Sequence, residues 1–236
     1  MFAPPENSVP RTAECARCGK PSALCACAEI RPLDNRVRLL ILQHPQEQDR
    51  ELGTARLTIL HLKHAVLRVG LSWPSLAAAL GRPAGAKTLL DPKRWAVLYL
   101  GSASGAALPH DRELVAVDGK GAPLPDQDRA LAGIEGVVLL DGSWSQAKTL
   151  WWRNPWVLKC RRLVLNPKHR SRYGNLRREP RREGLSTLEA AALALSWLGG
   201  QPEIAAALED SFSALLQSYR RLSGQSDESK AFSRRN

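Results

Sequence analysis

The sequence predicts an α/β protein: a mainly parallel sheet flanked by helices, with a small zinc knuckle at its N-terminal end. Three observations predict this. Short apolar runs alternate with stretches of helical pattern, the rhythm of strand–helix–strand units. The run Val137-Val138-Leu139-Leu140 has the composition of a buried parallel strand, ends in Asp141-Gly142, and passes at once into a helix. Four of the five cysteines stand together as Cys15-x2-Cys18-x6-Cys25-x-Cys27, a spacing that suits the closed tetrahedral shell of a structural zinc site better than free thiols or two disulfides.

Each element follows in order. Residues 1–12 are expected to be disordered. Residues 13–30 form the knuckle, where Gly19, Lys20 and Pro21 suit its turns. A strand at 36–43 runs into His44-Pro45-Gln46-Glu47. Thr54 can cap a helix over 55–62. A second strand at 65–71 and a short helix at 73–80 come next, then a third strand at 95–100 closed by Gly101-Ser102. Residues 103–128 are rich in Gly, Pro and charge and read as loop, with one strand at 114–117. The strand at 137–140 is followed by a helix over 143–152 and a strand over 158–165. Ser186 and Glu189 have capping-box spacing for a helix over 186–198, which Gly199 would stop. A last helix over 202–222 carries Ile204, Leu208, Leu215, Tyr219 and Leu222 on one stripe. The polar residues 224–236 are expected to be disordered.

The 236 residues allow one domain with a small appendage, large enough to fold without staples. No apolar run is long enough to span a membrane, and the first residues lack the apolar core of a signal peptide, so a cytoplasmic protein is expected. The formal net charge is +11, and residues 151–185 hold eleven Lys or Arg against two Glu. That window implies a polyanionic partner. Trp151, Trp152, Trp156 and Tyr173 lie within it and favour nucleic acid over a merely solvated face. No Walker sequence, His-Glu-x-x-His or serine nucleophile elbow occurs, which removes ATP hydrolysis, zinc proteolysis and esterase chemistry from the leading readings.

In open α/β sheets ligands bind beyond the carboxyl ends of the strands. Asp141 there is a general base or a helix N-cap. Gly142 allows close backbone approach, Ser143 caps or donates, and Trp144 stacks on a ligand or fills the core. His44 and Glu47 follow another strand end; His44 reads as a brace before Pro45 and Glu47 as an ion-pair partner of a nearby Arg. Cys160 reads as a core residue. Farther on, the arginines of 177–182 precede the exposed amides of a helix start, which attract a carboxylate or phosphate.

Together these residues resemble the DTW-domain family, the tRNA-uridine aminocarboxypropyltransferases. Asp141-Gly142-Ser143-Trp144 is similar to the Asp-x-Thr-Trp signature. The resemblance extends over the four cysteines, the His44-Pro45-x-Glu47 step, and Tyr173-x-x-Leu176-Arg177 leading into Leu185-Ser186-Thr187-x-Glu189-Ala190. It departs at Ser143, which keeps the signature's hydroxyl and loses its methyl, and at Gly53, where similar proteins often carry Asn before the threonine. The resemblance implies a catalytic domain over 31–223 and a SPOUT-like fold, in which a knot is an inference from kinship alone. It implies S-adenosylmethionine as donor, N3 of a tRNA uridine as acceptor, and 5'-methylthioadenosine as leaving product, with tRNA as partner and no stable protein partner.

On that resemblance Asp141, Ser143 and Trp144 are expected to be catalytic. Leu100, Gly101, Ser102, Leu140, Asp141, Gly142, Tyr173, Arg177, Leu185, Ser186 and Thr187 are expected to hold the donor. His44, Lys148, Arg153, Lys168, Arg170, Arg172, Arg178, Arg181 and Arg182 are expected to contact RNA. A SPOUT-like RNA methyltransferase and a non-catalytic zinc-containing RNA-binding protein are the alternatives.

Overall fold

The computed structural model describes residues 13–48, 50–82, 90–98, 108–174, 176 and 184–233, with side chains described to residue 223. Six strands form one sheet: β1 (Arg38–Gln43), β2 (Ala65–Val69), β3 (Trp95–Leu98), β4 (Leu114–Val117), β5 (Gly136–Asp141) and β6 (Arg161–Leu165). Their order is β2-β1-β5-β3-β6-β4. Every pairing is parallel except that of β4, which runs antiparallel to β6 at one edge. The α/β architecture and the mainly parallel sheet are as the sequence predicts.

Both faces of the sheet are buried, which is why its central strands are almost wholly apolar. On β1, Leu39 and Ile41 point to one face while Leu40 and Leu42 point to the other, and all four are fully buried. The first face is covered by the knuckle, by α1 (Ala55–Leu60), and by α5 (Thr187–Gly199) and α6 (Pro202–Ser233), which pack on each other through Leu188, Leu195, Leu208 and Phe212. The second face is covered by α2 (Leu76–Ala79) and α4 (Trp144–Arg153), with Trp95, Leu150, Trp151 and Trp156 filling the space. Burying each such side chain contributes about 1.5–3 kcal/mol.

Several elements differ from the sequence reading. The helix after residue 186 passes through Gly199 and stops at Gly200, whose left-handed φ of 61° suits the residue after a helix. The last helix runs to Ser233 rather than ending at Leu222, because the polar residues beyond contain good helix formers and no proline. Its buried stripe uses Phe212 and Leu216, while Leu222 is exposed. Residues 155–159 wind as a 3-10 turn behind Pro155, so β6 begins only at Arg161. A short helix, α3 (Gln127–Leu131), opens where loop was expected; the Asp126 side chain caps it by accepting from the Arg129 amide.

Candidate functional site

Asp141 is the last residue of β5, level with Gln43 at the end of β1. The Gln43 side-chain amide donates to Asp141 Oδ2 at 2.7 Å, and the Thr187 hydroxyl donates to Asp141 Oδ1. The Asp141 main-chain carbonyl accepts from the His44 amide at 2.9 Å. Each carboxylate oxygen therefore has a donor from a different element, and the acid is held in one orientation. The acidic turn and the start of α5, far apart in sequence, meet here. Gly142, next in the turn, is at a close approach: a Cβ on it would stand 2.8 Å from the Gln146 side chain and 3.4 Å from that of His44.

Two helices open toward this strand end. At α4, Ser143 is the N-cap and Gln146 accepts from its amide at 2.6 Å, while the Ser143 and Ser145 hydroxyls lie 3.2 Å apart. At α5, Ser186 is the N-cap; its hydroxyl accepts from the Glu189 amide and Glu189 accepts from the Ser186 amide at 2.8 Å. Glu189 also accepts from the Ser171 hydroxyl at 2.7 Å and the Arg172 amide at 2.8 Å, so the basic segment is tied to this helix start. Thr54 does not cap its own helix. Its buried hydroxyl accepts from the Leu188 amide at 3.2 Å instead.

The loop ahead of Thr54 is gripped from two sides. The Tyr173 hydroxyl donates to the Leu52 carbonyl at 2.7 Å, and the Lys20 ammonium donates to the carbonyls of Arg50 (2.8 Å) and Glu51 (2.5 Å). Lys20 belongs to the cysteine knuckle and is 6% exposed. Burial lowers its pKa to about 8, against the opposing pull of neighbouring acids that include Asp141. A hollow of about 120 Å3 lies between the knuckle and the end of β1, lined by Cys18, Gly19, Lys20, Gln43, Glu47 and Arg56 among others. Gly19, at φ 67°, gives Arg56 room: a Cβ there would meet the guanidinium at 2.4 Å.

The four knuckle sulfurs fit a metal. All lie within 4.8 Å of one another, with Cys15–Cys27 and Cys25–Cys27 at 3.5 Å and Cys18–Cys25 at 3.7 Å. Thiolates about 2.3 Å from a tetrahedral zinc stand about 3.8 Å apart, so a cation fits between these four. Amide hydrogen bonds from Cys18 and Arg17 lower the Cys15 pKa to about 6, whereas burial pushes the thiols of Cys18 and Cys27 up. A central cation would offset that burial by pairing with the thiolate charge.

The other sequence-predicted residues distribute as follows. Leu140, Gly142, Leu185 and Thr187 are half-buried around the strand end, and Ser186 is buried at its cap. Tyr173 is built into the core, 2% exposed, with its ring edge-on to Phe212 at 5.1 Å. His44 accepts from the Gln46 amide through Nδ1, as a brace would, and Glu47 lies 3.7 Å from Arg50. Lys148, Arg153, Lys168 and Arg170 are exposed, whereas Arg172 pairs with Glu209 at 2.6 Å. Leu100, Gly101, Ser102, Arg177, Arg178, Arg181 and Arg182 lie outside the described residues. Of the interleaved aromatics only Trp152 faces solvent, at 74%; Trp151, Trp156 and Tyr173 are core. Cys160 is buried, which pushes its thiol to about 12.

Sequence reasoning missed Gln43 and Arg56 altogether and took Lys20 for a turn residue. Gln43 had a signal: an amide ending an otherwise apolar strand, beside the strand end that carries the acid.

A family model for the DTW domain matches residues 12–220. Three proteins named tRNA-uridine aminocarboxypropyltransferase 2 are similar over 82% of this chain. The mouse (Mus musculus) protein is 29% identical and 59% of it is covered. The Drosophila melanogaster protein is 30% identical and 70% covered, and the Macaca fascicularis protein 28% identical and 59% covered. The chain thus spans about three fifths of the length of the mouse and macaque relatives. No solved structure matches the chain. Among the described residues no helix is long and apolar enough to cross a membrane.

Proposed function

Because the chain belongs to the DTW-domain family, we propose that it transfers the 3-amino-3-carboxypropyl group of S-adenosylmethionine to N3 of a tRNA uridine. The observation that carries this reading is the doubly held carboxylate of Asp141, placed at a strand end where ligands of such sheets bind. In the reaction N3 gives up its proton and bonds to the donor's Cγ, the Cγ–S bond breaks with its electron pair passing to sulfur, and 5'-methylthioadenosine leaves. Asp141 accepts the N3 proton and later releases it to water. Gln43 and Thr187 keep its oxygens aimed, because a small error in the angle of approach costs much of the rate.

The remaining assignments follow. Trp144 walls the pocket and Ser143 donates to the bound ligand. Leu140, Gly142, Leu185 and Ser186 surround the donor, and Tyr173 acts from the core by fixing the loop that carries Thr54. Leu100, Gly101, Ser102 and Arg177 complete the donor site. The knuckle, residues 13–30, holds zinc through its four thiolates and braces the catalytic domain over 31–223. The cell compartment is the cytoplasm.

The tRNA is held by Lys148, Arg153, Lys168 and Arg170, together with Arg178, Arg181, Arg182 and His44. Trp152 is the exposed platform on which an unstacked base rests. Base–aromatic stacking contributes about 1–3 kcal/mol, so Trp152→Ala should raise the KM for tRNA about tenfold while leaving that for the donor unchanged.

Incubation with carboxyl-labelled S-adenosylmethionine and unmodified tRNA tests the function. The expected result is label in RNA and methylthioadenosine in solution. Adenosylhomocysteine with unlabelled RNA would indicate methyl transfer. RNA binding without either product would indicate a binding protein. Either would overturn the proposal.

A further inference from the structure

The hollow beside the knuckle has no part in the mechanism above, yet it adjoins Asp141 through Gln43, which lines the one and donates to the other. It encloses about 120 Å3. Pockets for drug-sized ligands run to about 300–1,000 Å3 and a water claims about 30 Å3. The hollow therefore suits a short chain of a few heavy atoms better than a nucleoside.

Its lining carries both signs of charge. Glu47 is 4% exposed, and Lys20 is buried with its ammonium fixed on two carbonyls. Arg56 is different: its guanidinium rests over the Gly19 backbone, exposed, with no hydrogen bond or ion pair to the described residues. A guanidinium so placed can fork onto a carboxylate through two parallel hydrogen bonds. A carboxylate and an ammonium on one carbon are the two ends that this combination of cation and acid complements.

We propose that this hollow seats the amino-acid end of the donor, the α-carboxylate on Arg56 and the α-ammonium toward Glu47, so that Cγ emerges beside Asp141. The assignment rests on the transferase reading and names the part of the site that holds the group transferred. It follows geometrically from the chemistry. Only two bonds separate Cγ from the α-carbon, so an acceptor held at Asp141 reaches Cγ only if the charged end lies immediately beside that acid. It also makes the knuckle a wall of the donor site, since Gly19 and Lys20 line the same space.

The test compares three ligands by calorimetry on the full chain without tRNA: S-adenosylmethionine, decarboxylated S-adenosylmethionine and 5'-methylthioadenosine. In the unaltered protein, S-adenosylmethionine should bind at least about tenfold tighter than the decarboxylated compound, the worth of one charge-assisted pair. Arg56→Gln should remove that advantage, Arg56→Lys should restore part of it, and methylthioadenosine should bind all three proteins alike. Arg56 is exposed, and thermal melting checks that each variant folds. No advantage for the carboxylate in the unaltered protein would overturn the proposal without using any variant. Equal weakening of all ligands by Arg56→Gln would overturn it too. Both outcomes leave the transferase reading standing if label still enters tRNA. Failure of every ligand to bind, together with no label transfer, would bring down both.

Discussion

Helices α4 and α5 begin with the same local grammar and are used differently. Each has a serine N-cap and, three residues on, an amide or acid that reaches back to the N-cap amide, at 2.6 Å in α4 and 2.8 Å in α5. At α4, Ser143 meets Ser145 and Gln146 meets Gln46. At α5 the cap is a junction. Glu189 takes donors from Ser171 and Arg172, Leu188 bonds to Thr54, and Thr187 holds Asp141. A capping signal reports where a helix starts, whereas the neighbours folded onto it determine what that start does.

The largest effect should come from the acid that the α5 start holds. Asp141→Asn keeps the shape and removes the proton acceptor, and should lower kcat about 10²-fold or more, read as labelled nucleoside by mass spectrometry. Turnover within a few-fold of normal would leave the α5 side only structural. Next comes stability. Glu189→Ala strips three hydrogen bonds and should cost roughly 2–4 kcal/mol, a fall in Tm of roughly 5–15 °C. Gln146→Ala should cost only about 0.5–1 kcal/mol and a few degrees. Equal losses would erase the distinction between the two starts.

Chelation of the knuckle metal should lower Tm by roughly 5–10 °C. It should also speed hydrogen exchange at residues 50–54 and 184–189 ahead of 143–150, because Lys20 and Thr54 link the knuckle to α5 and not to α4. The smallest effect should be on orientation. Thr187→Val should cost about tenfold in kcat, since a hydrogen bond to a charged group contributes about 1.5 kcal/mol or more. Ser143→Ala, which removes one neutral hydrogen bond to the ligand, should lower kcat by about fivefold or less.

The parts of the fold legible in the sequence were those that local rules determine. Apolar runs marked the strands, Ser186 with Glu189 marked a helix start, and the cysteine spacing marked the knuckle. Asp141 stood out because it ends a strand. What local rules could not supply was partnership across the sheet. Gln43 becomes meaningful only when β1 is laid beside β5, and Thr54 only when α5 arrives to use its hydroxyl. Interleaved aromatics suggested a stacking surface, but a pattern in sequence does not separate inward from outward, and three of the four rings went into the core. Lys20 looked like a turn residue because its two carbonyl acceptors lie some thirty positions away.

The strand order carries a consequence for how the chain folds as it is made. Of the five pairings in the sheet, only that of β1 with β2 can form before residue 136 has been synthesised. Strands β3 and β4 wait until β5 slides between two older neighbours and β6 joins behind it. A nascent chain halted before that point would carry apolar strands with no companions, a natural client for a chaperone. Assembly so dependent on distant contacts is intrinsically slow. The acid-bearing strand is therefore also the keystone, since the Asp141 site cannot assemble before β5 has paired.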